Sequence, residues 1–328
     1  MEGLIRVVAG PRSEIESEGV DIVRDPADLP EPIGQRAPKI VKVELETIEA
    51  KGRLSDRAIY KYWTFNGKIP GPLLRVRVGD TVKTTLKNNP GSVVAHSVDF
   101  HAATGPSDGA HATQTDPGDS KTATFKALKP GVYVHHCATP SVAHHITNGI
   151  YGMIVVEPEG GPPQVDRELY VLQGELYTVE PLGSQGLMEM DYDKPVSERP
   201  ESFLFNSSVG ALTKSHPLYA RVGETVRIYF GDGGPNYTSS FHVISEIFDN
   251  VYCFDSVTSP RLSNVQTMTV PPDGSTVVDF KIDRPGTFVL ADHALSRAER
   301  GLAGYLVVDG PEDDEIMHHG PADQAPVK

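Results

Sequence analysis

Two cysteines in 328 residues are too few for a disulfide framework. A Cys set among histidines reads instead as a metal or catalytic thiol, and the count leaves the redox compartment open. Long apolar runs are missing too: nothing approaches the ~18 residues of a membrane helix, so no membrane span is expected. Positive charge is scarce, with 30 Lys and Arg against 44 Asp and Glu and a formal net charge of −14. That balance argues against nucleic acid and anionic membrane, and it suits a soluble chain with a cationic redox partner. Met1 to Arg6 carry charges at Glu2 and Arg6 and no apolar core, so the start is not a signal peptide as written. No long stretch keeps a helical period.

What is present is the two-residue period of strands. Val41, Val43 and Leu45 alternate with Lys42, Glu44 and Glu46, and Leu74, Val76 and Val78 alternate with Arg75 and Arg77 before the turn pair Gly79-Asp80. Thirty-one Gly and 27 Pro punctuate the rest. The reading is all-β, a sandwich or barrel. The chain also repeats itself. Arg77-Val78-Gly79-Asp80-Thr81-Val82-Lys83 returns as Arg221-Val222-Gly223-Glu224-Thr225-Val226-Arg227, and Phe125 to Gly131 returns as Phe280 to Gly286. Gly149 to Val156 returns as Gly301 to Val308. Three blocks in one order predict two β domains of one design. Glu159-Gly160-Gly161-Pro162-Pro163 reads as their linker, which sets the domains at 28–160 and 161–310 between an N-terminal arm, 1–27, and an acidic tail, 311–328.

Chemistry concentrates in one window. His135, His136, Cys137, His144 and His145 fall within eleven residues. A thiolate beside imidazoles selects copper over hard cations, and His₂Cys with a weak axial partner describes a blue-copper centre. A second cluster holds His96, Asp99 and His101. On a strand, residues an odd number apart point to opposite faces, which separates His96 from His101 and His136 from Cys137. The pattern predicts two metals on either side of one peptide link.

These blocks, together with His96-Ser97-Val98-Asp99-Phe100-His101-Ala102-Ala103-Thr104-Gly105, Ser239-Ser240-Phe241-His242-Val243-Ile244 and Asp292-His293, resemble the two-domain copper-containing nitrite reductases, in the compact class that includes a neisserial outer-membrane enzyme. The likeness runs from about Asp25 to Gly310. It implies two tandem cupredoxin-like Greek-key β-sandwich domains and two copper ions per subunit. The type 1, electron-accepting copper would be held by His96, Cys137 and His145. The type 2, catalytic copper would be held by His101 and His136 of one chain and His293 of a neighbour, in a homotrimer. Asp99 and His242 match the family's catalytic acid–base pair, and Ile244 matches the apolar residue that caps the type 2 copper. Nitrite is the implied substrate and nitric oxide the product of this dissimilatory, denitrifying activity. A small cupredoxin or cytochrome c is the implied donor, and the periplasm or the cell exterior the implied location.

Two positions depart from the family pattern. Ile150 stands where an axial methionine is expected over the type 1 copper, and Met153, three residues on, faces the other way. A missing thioether favours Cu(I), raises the type 1 potential and leaves less driving force toward the type 2 site. An impaired reductase or a plain copper electron carrier is therefore the alternative function. A laccase-type oxidase needs His-x-His pairs, which the sequence lacks. The other departure is His135, in place of a tyrosine. It is expected on the side of Cys137, as an exposed partner-docking or pH-sensitive residue rather than a fourth ligand. His111, His144, His216, His318 and His319 read as surface or tail residues, and Cys253 as a free structural thiol.

Overall fold

The computed structural model describes residues 19–106 and 109–317. His318, His319, most of the tail from 311 onward and the first part of the arm lie outside the described residues. Four sheets carry the described chain, and they come in two matched pairs. In the first half, the order Ala58–Phe65, Ile40–Ser55, Thr81–Asn88, Ser120–Lys126 forms one layer. Leu74–Arg77, Tyr151–Glu157, Gly131–His136 and Asp99–Phe100 form the facing layer. The second half repeats this order with Ser202–Phe205, Arg167–Leu176, Thr225–Asp232 and Ser275–Lys281, extended by Asn250–Tyr252. Its facing layer runs Leu218–Arg221, Gly304–Asp309, Gly286–Asp292, Ser239–Ile244, extended by Thr267–Val270.

The repeated sequence blocks do the same work in both halves. Gly79 and Gly223 turn at φ 89° and 91°, a backbone region glycine enters without a Cβ penalty. Their N–H groups donate to Ala127 and Ile282, both at 2.7 Å. The acid that follows caps the turn: Asp80 accepts from the Arg77 N–H at 2.9 Å and from Arg36, and Glu224 accepts from the Arg221 N–H at 2.9 Å and from Arg167. Asp80 has no exposed side-chain surface, and although burial opposes its charge, Arg36 and two backbone donors hold its carboxyl down to about 2.

Two apolar cores result. One fills the first sandwich and includes Trp63, Phe65, Val98, Phe100, Cys137 and Ile150. The other runs from the back of that sandwich, through Val132, Tyr151 and Met153, into the second half. Ile150 and Met153 therefore lie in different cores. The contact between halves is polar as well: Val132 donates to the Asp255 carbonyl at 2.8 Å, and Ser275 Oγ donates to the Val132 carbonyl at 2.7 Å.

Two crossings tie the halves together. Gly186–Met188, from the second half of the sequence, adds to the first half as an edge strand parallel to Ala58–Tyr60. The segment after residue 18, read as part of an arm, packs closely: Val20 bridges Gly52, Val23 bridges Ile69, and Ile22 is fully buried. Asn206 Nδ2 donates to the Arg24 carbonyl at 3.2 Å, joining this segment to the second half. Among the described residues, no helix is long and apolar enough to cross a membrane.

Candidate metal centres

The first cluster is assembled from three separate stretches. His96 is fixed by a two-way bridge to Thr115, at 3.0 and 2.8 Å, just before the strand Asp99–Phe100. Cys137 follows the strand Gly131–His136 and donates its N–H to the Ile150 carbonyl at 3.1 Å. His145 comes from the short helix Val142–Thr147. All three side chains are buried. Cys137 Sγ lies 3.3 Å from His145 Nδ1 and 3.9 Å from His96 Nδ1, and the two Nδ1 atoms are 3.2 Å apart. A triangle with these edges has a circumradius (product of the edges over four times the area) of about 2.0 Å, the range of imidazole–metal and thiolate–metal bonds. The donor set therefore fits one soft transition-metal ion.

The surroundings support a thiolate there. Burial opposes the charge on Cys137, but the His145 and His96 contacts outweigh it and hold the thiol well below its ordinary range. The Ser97 N–H also points at Sγ, at 3.3 Å. Trp63 packs its ring on His96 and His145, with centroids 5.3 and 4.8 Å away, and keeps the site dry. Ile150 is fully buried in the same core as Cys137 and brings no donor atom.

The second cluster lies across the sheet. Asp99 pairs in register with His136, and Phe100 with His135. His101 and His136 bring their Nε2 atoms to 3.1 Å with rings at 83°, and Asp99 completes a group whose ligand atoms lie within 4.8 Å of one another. His101 is exposed, whereas His136 is buried. Sequence reasoning missed one neighbour: Asp273, from a turn of the second half, places Oδ2 4.0 Å from His136 Nε2. Its only sequence signal was the turn Pro272-Asp273-Gly274, which says nothing about a partner 137 positions earlier.

His293 joins neither cluster among the described residues. It is exposed, just past the end of Gly286–Asp292, and its ring lies 5.5 Å from that of His242. The Asp292 carboxylate braces this corner, pairing with Arg297 and accepting from the Ser240 N–H at 3.1 Å. His242 is buried on Ser239–Ile244, with Nδ1 donating to the Gln266 carbonyl at 2.6 Å. Burial lowers its pKa, with Gln266 opposing and His293 adding to the shift. Ile244, two residues on and on the same face, is 37 % exposed. His242, Ile244 and His293 thus line one open corner, with the His293 imidazole presented outward.

Two expectations are corrected. His135 is not exposed: it is fully buried between Phe65 and Phe100, with ring centroids 5.5 and 5.4 Å away. Phe65, from the facing layer, and Phe100, from the adjacent strand, cover the face that the ring shares with Cys137. Gly152 makes room for the ring, since a Cβ there would come within 2.7 Å of it. Burial pushes the His135 imidazole down to about 3, so it stays neutral. His144 is half-buried rather than exposed, stacked on Tyr192 with Nε2 2.9 Å from the Tyr192 carbonyl. His111 is exposed as expected, His216 pairs with Asp21 at 3.0 Å, and Cys253 packs beside Met268 at the edge of the core.

A family profile described as "Multicopper oxidase" matches residues 47–161, which hold both donor clusters. A copper-containing nitrite reductase of Neisseria meningitidis serogroup A is 49% identical over 301 residues, covering 91% of this chain and 77% of that protein. One from Pseudomonas chlororaphis is 32% identical over 332 residues, covering 94% and 90%. Among solved structures, a copper nitrite reductase from Nitrosomonas europaea superposes with a TM-score of 0.73 at 31% identity, covering 84% of this chain and 96% of that one.

Proposed function

The chain belongs to the copper-containing nitrite reductases, an oxidoreductase family of all-β, two-domain cupredoxin-like proteins, and from that premise we propose that it reduces nitrite to nitric oxide with two coppers per chain. His96, Cys137 and His145 hold the type 1 ion. His101 and His136 hold the type 2 ion, with His293 arriving from a neighbouring chain of a homotrimer. On this reading, the domains span 28–160 and 161–310, a soluble cupredoxin or cytochrome c supplies electrons, and the enzyme works in the periplasm or outside the cell.

The observation that carries the reading is the division of donors. Among the described residues, the paired imidazoles of His101 and His136 have no third imidazole beside them, and His293 is held out beside His242 in no donor cluster. Each half-site supplies what the other needs. Bound copper supplies a one-electron relay and an open Lewis-acid position, the chemistry that turns nitrite, one electron and two protons into nitric oxide and water.

The protein's own groups do the rest. Cys137 and His136 make a covalent connection between the donor sets one peptide long. Asp99, beside His101 and His136, and His242, fixed by Gln266, would hold and pass protons at the nitrite oxygens. Ile244, on the face of His242, restricts how the anion sits. Ile150 favours a second reading, a chain that keeps its copper but turns over slowly, because it is buried in the same core as Cys137 and would offer the ion no thioether.

The test is to count coppers per chain, record visible and EPR spectra, and assay nitric oxide from nitrite with a reduced donor. Two coppers with nitric oxide produced supports the reading. One copper and no product points to a carrier, and oxygen uptake without nitrite to an oxidase.

A further inference from the structure

Glu49 is an acid in an unusual place. It lies on Ile40–Ser55, directly across from Trp63, the ring that covers His96 and His145. Its side chain has no exposed surface. Oε1 accepts from the N–H groups of Val93 and Val94 at 2.6 and 3.3 Å, and Oε2 lies 2.6 Å from Lys61 Nζ. Oε1 is also 3.8 Å from His96 Nε2, a buried ring nitrogen that has no hydrogen-bond partner. The opposite nitrogen, Nδ1, is the one turned toward Cys137 and His145.

A carboxylate behind a ligating imidazole biases its tautomer and strengthens it as a donor; at 3.8 Å Glu49 would do so through its charge rather than through a hydrogen bond. We propose that Glu49 is the positioning residue of the type 1 site: it keeps the His96 proton on Nε2, frees Nδ1 for the metal, and sets a buried negative charge beside the centre that Lys61 tunes from the surface. The inference rests on the assignment of His96 to the type 1 copper. It answers a question that Ile150 raises. Without a thioether donor the site drifts toward Cu(I), and a carboxylate behind a ligand pulls it back toward Cu(II). Lys61 is about half exposed, with 46 % of its side chain accessible, so the surface is linked to the ligand through one ion pair.

The two charged residues predict shifts of opposite sign. In the copper-loaded full chain, Glu49→Gln should move the type 1 equilibrium about tenfold toward Cu(I), a rise of ~59 mV for one electron. Lys61→Met should move it the other way by less, since the amine is partly screened by water. The double variant should follow Glu49→Gln, because Lys61 acts through the carboxylate. The readout is redox titration of the visible band, with copper content measured alongside. Shifts of the same sign in the two single variants, or a type 1 potential that responds to neither, would overturn the proposal. If Glu49→Gln loses copper or fails to fold, Lys61→Met decides alone: a fall in potential supports the inference and an unchanged potential sinks it. Absence of any type 1 signal from the unaltered protein would sink the ligand assignment and this inference together, whereas a signal deaf to both substitutions would sink only this one.

Discussion

His136 and Cys137 are consecutive residues whose side chains leave the backbone in opposite directions. The thiol of Cys137 faces His145 at 3.3 Å, and the imidazole of His136 faces His101 at 3.1 Å. The alternation of a strand is enough to produce this split, and no loop or helix has to be invoked. The proposed electron path is a by-product of that pleat.

Replacing Ile150 by Met would restore a thioether beside the thiolate. The expected result is a lower type 1 potential, by roughly tenfold in the Cu(I)/Cu(II) equilibrium or ~59 mV. The swap conserves volume at a fully buried position, so its stability cost should stay below about 1.5 kcal/mol. Redox titration and thermal melts measure both, and an unchanged or higher potential would argue that Ile150 does not occupy the axial place.

His293→Ala should remove the type 2 copper and leave the type 1 band intact. The side chain is exposed in the single chain, so folding should change by less than about 0.5 kcal/mol. A sharper version mixes His293→Ala chains with His101→Ala chains. Shared sites predict that the mixture regains nitrite turnover that neither variant has alone, and no recovery would count against a site built from two subunits.

Asp99→Asn and His242→Asn should each lower kcat by roughly 10²–10⁴ with copper content unchanged, the ordinary scale for losing a positioned acid or base. A steady-state assay with a metal count checks it. Variants that keep full turnover would return both residues to a structural role.

Glu246 gives a pH dependence away from the metals. Burial first, and then Asp283 and Asp249, push its carboxyl up to about 7 from 4.5. The folded chain holds this proton more tightly than the unfolded one, so its contribution is fully present below pH 4.5 and is lost as the pH rises through about 7. Glu246→Gln should therefore add about 1 kcal/mol at pH 8, after discounting for solvent screening, and little at pH 4. Denaturant melts at the two pH values test this, and a larger gain at pH 4 would reverse the sign.

The sequence carried the parts of this structure that depend on local periodicity. Arg77-Val78-Gly79-Asp80 and Arg221-Val222-Gly223-Glu224 announced a duplicated sandwich because the turn needs a left-handed glycine and a capping acid each time. The grouping of His96, Cys137 and His145 came from the resemblance to the copper-containing nitrite reductases, since alternation by itself gives only the face each side chain takes. What stayed hidden depends on distance along the chain. Asp273 reaches His136 from a turn in the other half, and Glu49 reaches His96 across 47 positions, with nothing local to distinguish either from other acids. His135 was misjudged for a related reason: alternation gives the face of a strand, but only the layer packed against that face decides whether it meets water.

The strand Gly186–Met188 has a consequence for taking the molecule apart. It belongs by sequence to the second half yet caps the edge of the first, pairing Gly186 with Ala58, Leu187 with Ile59 and Met188 with Tyr60. Cutting the chain at the linker would strip that cap from the fragment that holds both donor clusters, baring a sheet edge lined by Ile59 and Tyr60. Exposed apolar edges recruit other chains. The isolated first half would tend to aggregate for reasons unrelated to copper, so the molecule is a duplicate in its ancestry but indivisible in practice.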